Sequence, residues 1–252
     1  MSDALRAELT KLRSVRSTTW ALLAILGLTI ALGVVSSSTS HTDGGSGDQD
    51  LVMVSLAGVY FAQIAAVAFG VLAVCSEYAT GTIRATFAAN PRRRQVLAAK
   101  VAIVGGLVAG VSAVATVGAF YIGQAILRGN GFVDGNGYHA ASLADGSTLR
   151  AVAIAAAYLV LLAVLSLGAA SIIRDTAAAI SLVLGVLLVP WIVAGLLPEN
   201  LANAIEKATP MAGIAAQERG APISPWGGFA ATVGWAAAAL VVALWLVRRR
   251  DA

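Results

Sequence analysis

One cysteine and two histidines are all that 252 residues offer of the side chains that most often bind metals or carry redox chemistry. Cys75 alone excludes an internal disulfide, a cysteine-based zinc site and a redox pair. His41 and His139 lie in separate polar stretches, and nothing pairs them as ligands or as a base. Charge is scarce too, at 12% of residues against 58% hydrophobic, which is too little to cover a soluble domain of this length. No His-Glu-x-x-His, no Gly-x-Ser-x-Gly and no paired carboxylates appear, so the chain is read as a non-enzyme. The Gly-rich runs lack the Gly-Lys-Ser/Thr of a phosphate cradle, and no bound cofactor or metal is expected. The acidic stretches at Asp43, Asp48 and Asp50 and at Asp134 lack calcium-loop spacing and read as solvated loops.

What is present is apolar sequence in long runs, with a mean hydropathy of +0.82. Six runs can each cross about 30 Å of hydrocarbon as a helix: about 19–35, 51–74, 96–126, 149–173, 177–197 and 227–247. The alternation of a membrane barrel is absent, so the expected fold is an all-α integral membrane domain of six spans. Thirteen of the seventeen Lys and Arg fall before span one, between two and three, between four and five, and after six. Eight of the thirteen carboxylates fall on the other side. The positive-inside rule then places both termini in the cytoplasm, which an even span count requires. It also explains the pI near 9.6 without nucleic acid, which is not an expected partner. Alanine-rich, Arg-over-Lys usage points to a bacterial inner membrane.

Residues 1–18 place Leu5, Leu9, Leu12 and Val15 at helical spacing, with Arg6, Lys11, Arg13 and Arg16 largely on the other faces. This reads as an interfacial amphipathic helix rather than a soluble tail, and it is too long for a signal-peptide n-region. Trp20, Trp226 and Trp245 fall at span ends as interface anchors, whereas Trp191 and Trp235 lie deeper and read as packing or lipid contact. Segment 198–226 reads as two short amphipathic helices broken by Pro210, at the outer surface or dipping back where protein covers them. Pro190 either kinks span five or marks its outer end. No Asp or Glu stands in the middle of a run, where ion-coupled carriers usually keep one. Gln63 and Gln124 read as glue between helices, and Gly106 with Gly110 and Gly234 with Ala238 as close helix contacts.

One stretch breaks this pattern. "SEYATGTIRATFAANPRRRQVLAAKV" links spans two and three on the predicted cytoplasmic side. Residues 77–90 can form a short helix closed by Asn90-Pro91, with Glu77 and Arg84 on one face and Ala79, Ile83 and Phe87 as an adjacent apolar stripe. Such a helix suits docking in a groove on a soluble partner. A topology-only loop accounts for Arg92, Arg93 and Arg94, but not for the ordered run of Glu77, Gly81-Thr82, Arg84 and Pro91.

That run resembles the membrane subunits of the type-2 ATP-binding-cassette transporter family. In the family a Glu after span two is followed by Gly-Thr-hydrophobe-Arg, a Pro with a nearby Arg, and a Lys at the start of span three. Here these are Glu77, Gly81-Thr82-Ile83-Arg84, Pro91, Arg94 and Lys100. Arg93 stands where the family usually has a small polar residue. The segment from Glu8 to Trp20 is similar to the family's interfacial helix. The resemblance implies a permease without its own ATPase, paired with a second copy or a homologue. A separate cytoplasmic ATPase would bind ATP and Mg, and loop 77–90 would be the coupling helix seated on it. Glu77, Gly81, Thr82, Ile83, Arg84 and Phe87 would then carry coupling. Arg92, Arg93, Arg94 and Lys100 would hold topology or meet lipid headgroups. Export is implied by the resemblance alone. Spans this apolar suit a lipid, a hydrophobic drug or an amphipathic peptide better than a sugar. Two rival readings remain: a membrane anchor that recruits an ATPase without transport, and a standalone carrier or channel.

Overall fold

The computed structural model describes residues 16–41, 50–82, 93–133 and 141–249. Among them, nine helices and no strand occur in the order α1 (Arg16–Thr39), α2 (Leu51–Ser55), α3 (Val59–Ala79), α4 (Arg93–Gly129), α5 (Gly146–Ile173), α6 (Thr176–Ala194), α7 (Glu199–Ala208), α8 (Ala212–Ala215) and α9 (Pro225–Arg249). Six of them, α1, α3, α4, α5, α6 and α9, are long and apolar enough to cross a membrane. The predicted interfacial helix 1–18 lies outside the described residues except for its last three.

Helices α3 and α5 are the centre of the bundle. Two-thirds (67%) of the apolar window of each is buried, against 17% to 28% in the other four spans. The pair runs parallel, because its contacts ascend together: Gln63 with Tyr158, Gly70 with Ala163 and Ser166, Tyr78 with Arg174. Lipid removes the hydrophobic drive for helices to associate, so backbone approach at small residues must hold such a pair. Gly70 shows how close the approach is. A Cβ there would stand 2.2 Å from both the Ala163 carbonyl oxygen and the Ser166 hydroxyl. The other spans pack around this pair, α4 antiparallel to α5 with Ser112 donating to the Ala156 carbonyl at 3.2 Å. A Cβ at Gly106, Gly110 or Gly234 would meet nothing within this chain, so the small-residue contacts predicted there are not made between its own helices.

Span two is not the single helix expected over 51–74. It breaks at 56–58, where the chain lies directly on α1, and a Cβ on Gly58 would be 2.1 Å from the Thr29 carbonyl oxygen. Asp50 caps the short α2, its Oδ1 accepting from the amides of Val52 and Met53. Gln124 on α4 then donates to the Leu51 carbonyl at 3.0 Å and to Ser55 Oγ at 3.1 Å. Asn130 closes the end of α1 by donating to the carbonyls of Ser37, Ser38 and Ser40. Helix α4 has 37 residues, roughly 55 Å, so it projects beyond the hydrocarbon at one end or both.

Segment 198–226 divides in two. Helix α7 is amphipathic and has no buried residue, whereas Met211, Ala212 and Ile214, at and within α8, are buried inside the bundle. Re-entry leaves backbone carbonyls without helical partners, and hydrocarbon offers no water to satisfy them. Helix α9 supplies the donors: Thr232 Oγ1 to the Pro210 carbonyl at 2.7 Å and Trp235 Nε1 to the Ala208 carbonyl at 2.8 Å. Trp235 lies ten residues into α9, about 15 Å along it. It is therefore a hydrogen-bonding residue and not only a packing one. Pro190 sits inside α6, which runs on to Ala194, so it does not end the span.

Gly70→Ala is expected to destabilise the bundle by about 1–3 kcal/mol through overpacking. Gly106→Ala should be neutral or slightly stabilising, since it gains helix propensity in open space. Thermal unfolding in detergent compares the two; equal shifts would remove Gly70 as a contact point.

Candidate functional site

Of the residues singled out between spans two and three, Glu77, Gly81, Thr82 and Lys100 are described, and they lie at the end of the bundle where α3, α4, α5 and α6 begin or finish. Helix α3 does not stop at the expected end of span two. It continues to Ala79, so Glu77 belongs to the last turn of the span and not to a separate loop helix. Thr80 is the C-cap, with its amide and Oγ1 both donating to the Ser76 carbonyl. Gly81 follows at φ +70, the left-handed conformation that ends helices and favours glycine. The Gly81-Thr82 pair, read in the sequence as a break within the 77–90 helix, is where α3 ends. Thr80 and Thr82 hydroxyls meet at 2.9 Å across that turn.

Lys100, expected to hold topology or to meet lipid headgroups, is buried one and a half turns into the span-forming part of α4. Its Nζ donates to Glu77 Oε1 at 2.7 Å and to the Ala73 carbonyl at 3.3 Å. Ala73 and Glu77 are four apart on α3 and so share a face, which lets one ammonium reach both. The two side chains are only 6% and 9% exposed, making this a desolvated ion pair rather than a solvent-screened one. The signal was present: Lys100 lies inside the start of one apolar run and Glu77 just past the end of the one before it, and opposite charges so placed are costly unless they find each other.

A second contact ties the same end together. The Arg174 guanidinium lies 5.3 Å from the centre of the Tyr78 ring. Arg174 ends α5 in the left-handed conformation, and Asp175 begins α6 by accepting from the Ala178 amide at 2.8 Å. Spans four and five are thus joined by two residues.

Glu77, Gly81, Thr82 and Lys100 are brought within one corner of the bundle. Ile83, Arg84, Phe87 and Arg92 lie outside the described residues, and of Arg93 and Arg94 only the backbone, opening α4, is described. The loop's apolar stripe and its charged edge therefore rest on sequence.

Gln63, read as glue between helices, finds partners that the sequence did not mark. Tyr158, fully buried, donates to Gln63 Oε1 at 2.5 Å, while Gln63 Nε2 donates to the Tyr60 carbonyl. Tyr60 in turn donates to the Glu218 carboxylate of the segment after α8. An apolar groove of about 240 Å³ opens between α5, α6 and α9, lined by residues such as Leu165, Leu182, Val186 and Trp235. It offers room for hydrocarbon and no charged group to orient a ligand.

Fold and site together define an all-helical, multi-pass membrane protein. Comparison with protein-family models, with curated proteins and with solved structures gives no match.

The Glu77–Lys100 pair has a testable energetic signature. Lys100→Met alone should cost about 3–5 kcal/mol, because it strands a buried carboxylate. The double variant Glu77→Leu, Lys100→Met should recover most of that loss. Unfolding midpoints in detergent decide it: if single and double variants fall equally, the two charges are not coupled.

Proposed function

We propose that this chain is the permease subunit of an ATP-driven exporter, coupled through the 77–90 segment to a separate cytoplasmic ATPase. One observation carries most weight. The two charged ends of the loop motif, Glu77 and Lys100, form a buried ion pair, so the motif is closed at its base. A loop that only fixed topology would need positive charge at the headgroups, not a desolvated carboxylate–ammonium contact.

On this reading the partner supplies ATP and Mg, and a second permease, a copy or a homologue, completes the pathway. Closure of the ATPase dimer pushes on the loop. The push reaches α3 and α4 together because Glu77 and Lys100 clamp them. It reaches α5 and α6 through Tyr78, Arg174 and the two-residue turn. Rigid-body motion of these four helices then switches access from one side to the other. Gly81 supports the reading as the pivot between span and loop. The apolar groove and the spans' composition favour a hydrophobic or amphipathic substrate.

The test is a pull-down from detergent-solubilised membranes. Wild type is expected to bring down an ATPase carrying a phosphate-binding Gly-rich loop, and the Ile83→Asp, Arg84→Glu double variant to lose it. Loss from neither, or no ATPase with either, removes the coupling assignment and moves the anchor or carrier readings ahead. If the ATPase binds but its hydrolysis never responds to any hydrophobic ligand, the chain is an anchor rather than a permease. Gly81→Val should impair hydrolysis coupling more than Gly81→Asn, since Asn tolerates the left-handed conformation.

A further inference from the structure

Arg150 lies in the second turn of α5, at the end of the bundle remote from Glu77 and Lys100. Its Nε is buried and has no hydrogen-bond acceptor. The nearest acid along the chain, Asp145, is turned back into its own loop, accepting from the Ser142 amide at 3.1 Å. Beside Arg150 a slot of about 330 Å³ runs between α5 and α9. Leu149, Ala153, Ile154, Ala157, Trp226 and Phe229 line it, so every wall except the arginine is hydrocarbon or aromatic. The Trp226 and Phe229 rings meet edge to face at 6.4 Å and form one side.

Depth follows from length. Helix α5 has 28 residues, about 42 Å, which exceeds the roughly 30 Å hydrocarbon core. It therefore overruns the core at one end or both, and its first turn and a half lies beside Trp226, the second residue of α9 and 63% exposed, an interface residue that sets this end at headgroup level. An unpartnered guanidinium at that level, above a hydrocarbon slot, is complementary to a phosphodiester that carries an acyl chain. We propose that the slot binds a glycerophospholipid, with its phosphate on Arg150 and one acyl chain along Ala153, Ala157 and Phe229. The proposal needs only a membrane-spanning bundle and is independent of any ATPase.

The experiment uses the full chain in mild detergent, without partners. Native mass spectrometry follows the first bound lipid during titration with phosphatidylglycerol or with diacylglycerol of the same chains. Wild type is expected to hold phosphatidylglycerol about tenfold tighter than diacylglycerol, and Arg150→Gln to lose about five- to tenfold of that affinity. Ala157→Phe, which fills the slot and keeps the charge, should weaken phosphatidylglycerol as well. Equal wild-type affinity for the two lipids overturns the proposal and needs no variant to fold. So does wild-type phosphatidylglycerol affinity in a folded Arg150→Gln or Ala157→Phe protein.

Discussion

A polar group inside hydrocarbon has no water to turn to, and this single constraint organises the bundle. Several interruptions are met by donors from elsewhere in the bundle: Asn130, just past α4, answers the last carbonyls of α1, Gln124 holds the short α2 at Leu51 and Ser55, and Thr232 and Trp235 answer the re-entrant turn before α8. The same constraint acts on charge. Lys100 is tolerable at its depth because Glu77 and the Ala73 carbonyl surround its ammonium. These contacts contribute register more than raw stability, since intramembrane hydrogen bonds are individually modest.

Register matters because the apolar surfaces themselves say little about who packs where. Outward faces rich in leucine, valine and alanine are as comfortable against lipid as against protein. The central pairing of α3 with α5 is singled out by backbone approach at Gly70 and by polar contacts near both ends, Gln63 with Tyr158 and Tyr78 with Arg174. Between these fixed points, Ala66, Val67, Val71 and Leu162 fill the interface without needing specificity.

The six spans were legible because hydropathy over about 20 residues is a strong, local signal. Gln63 and Gln124 were legible as glue because an amide in hydrocarbon must find a partner. What failed was whatever depended on which faces meet. Gly106, Gly110 and Gly234 carry the small-residue spacing yet face outward, while Gly70, which shares that spacing with Ala66, is the tight contact, so spacing alone did not tell one from the other. The partner of Lys100 was not legible because sequence counts charges by loop and cannot see a carboxylate one helix away. The break before α3 was invisible because Leu56, Ala57 and Gly58 are as apolar as a continuous span. Of the coupling motif, sequence alone still carries the part from Ile83 to Arg92.

The parallel pairing of α3 with α5 also sets an order for biogenesis. Glu77 meets its partner 23 residues later in the chain, whereas Gln63 meets Tyr158 95 residues later. At roughly 5–20 residues per second, the first interval lasts about 1–5 s and the second about 5–20 s. The charge is thus neutralised as soon as α4 enters the bilayer, while the amide and the close-packing face of α3 wait for α5. During that wait α3 can lean on α1, against which its first turn already rests at Gly58. The bundle's centre is therefore assembled after its edge, and a chain cut short before α5 would present its best-packed surface to lipid.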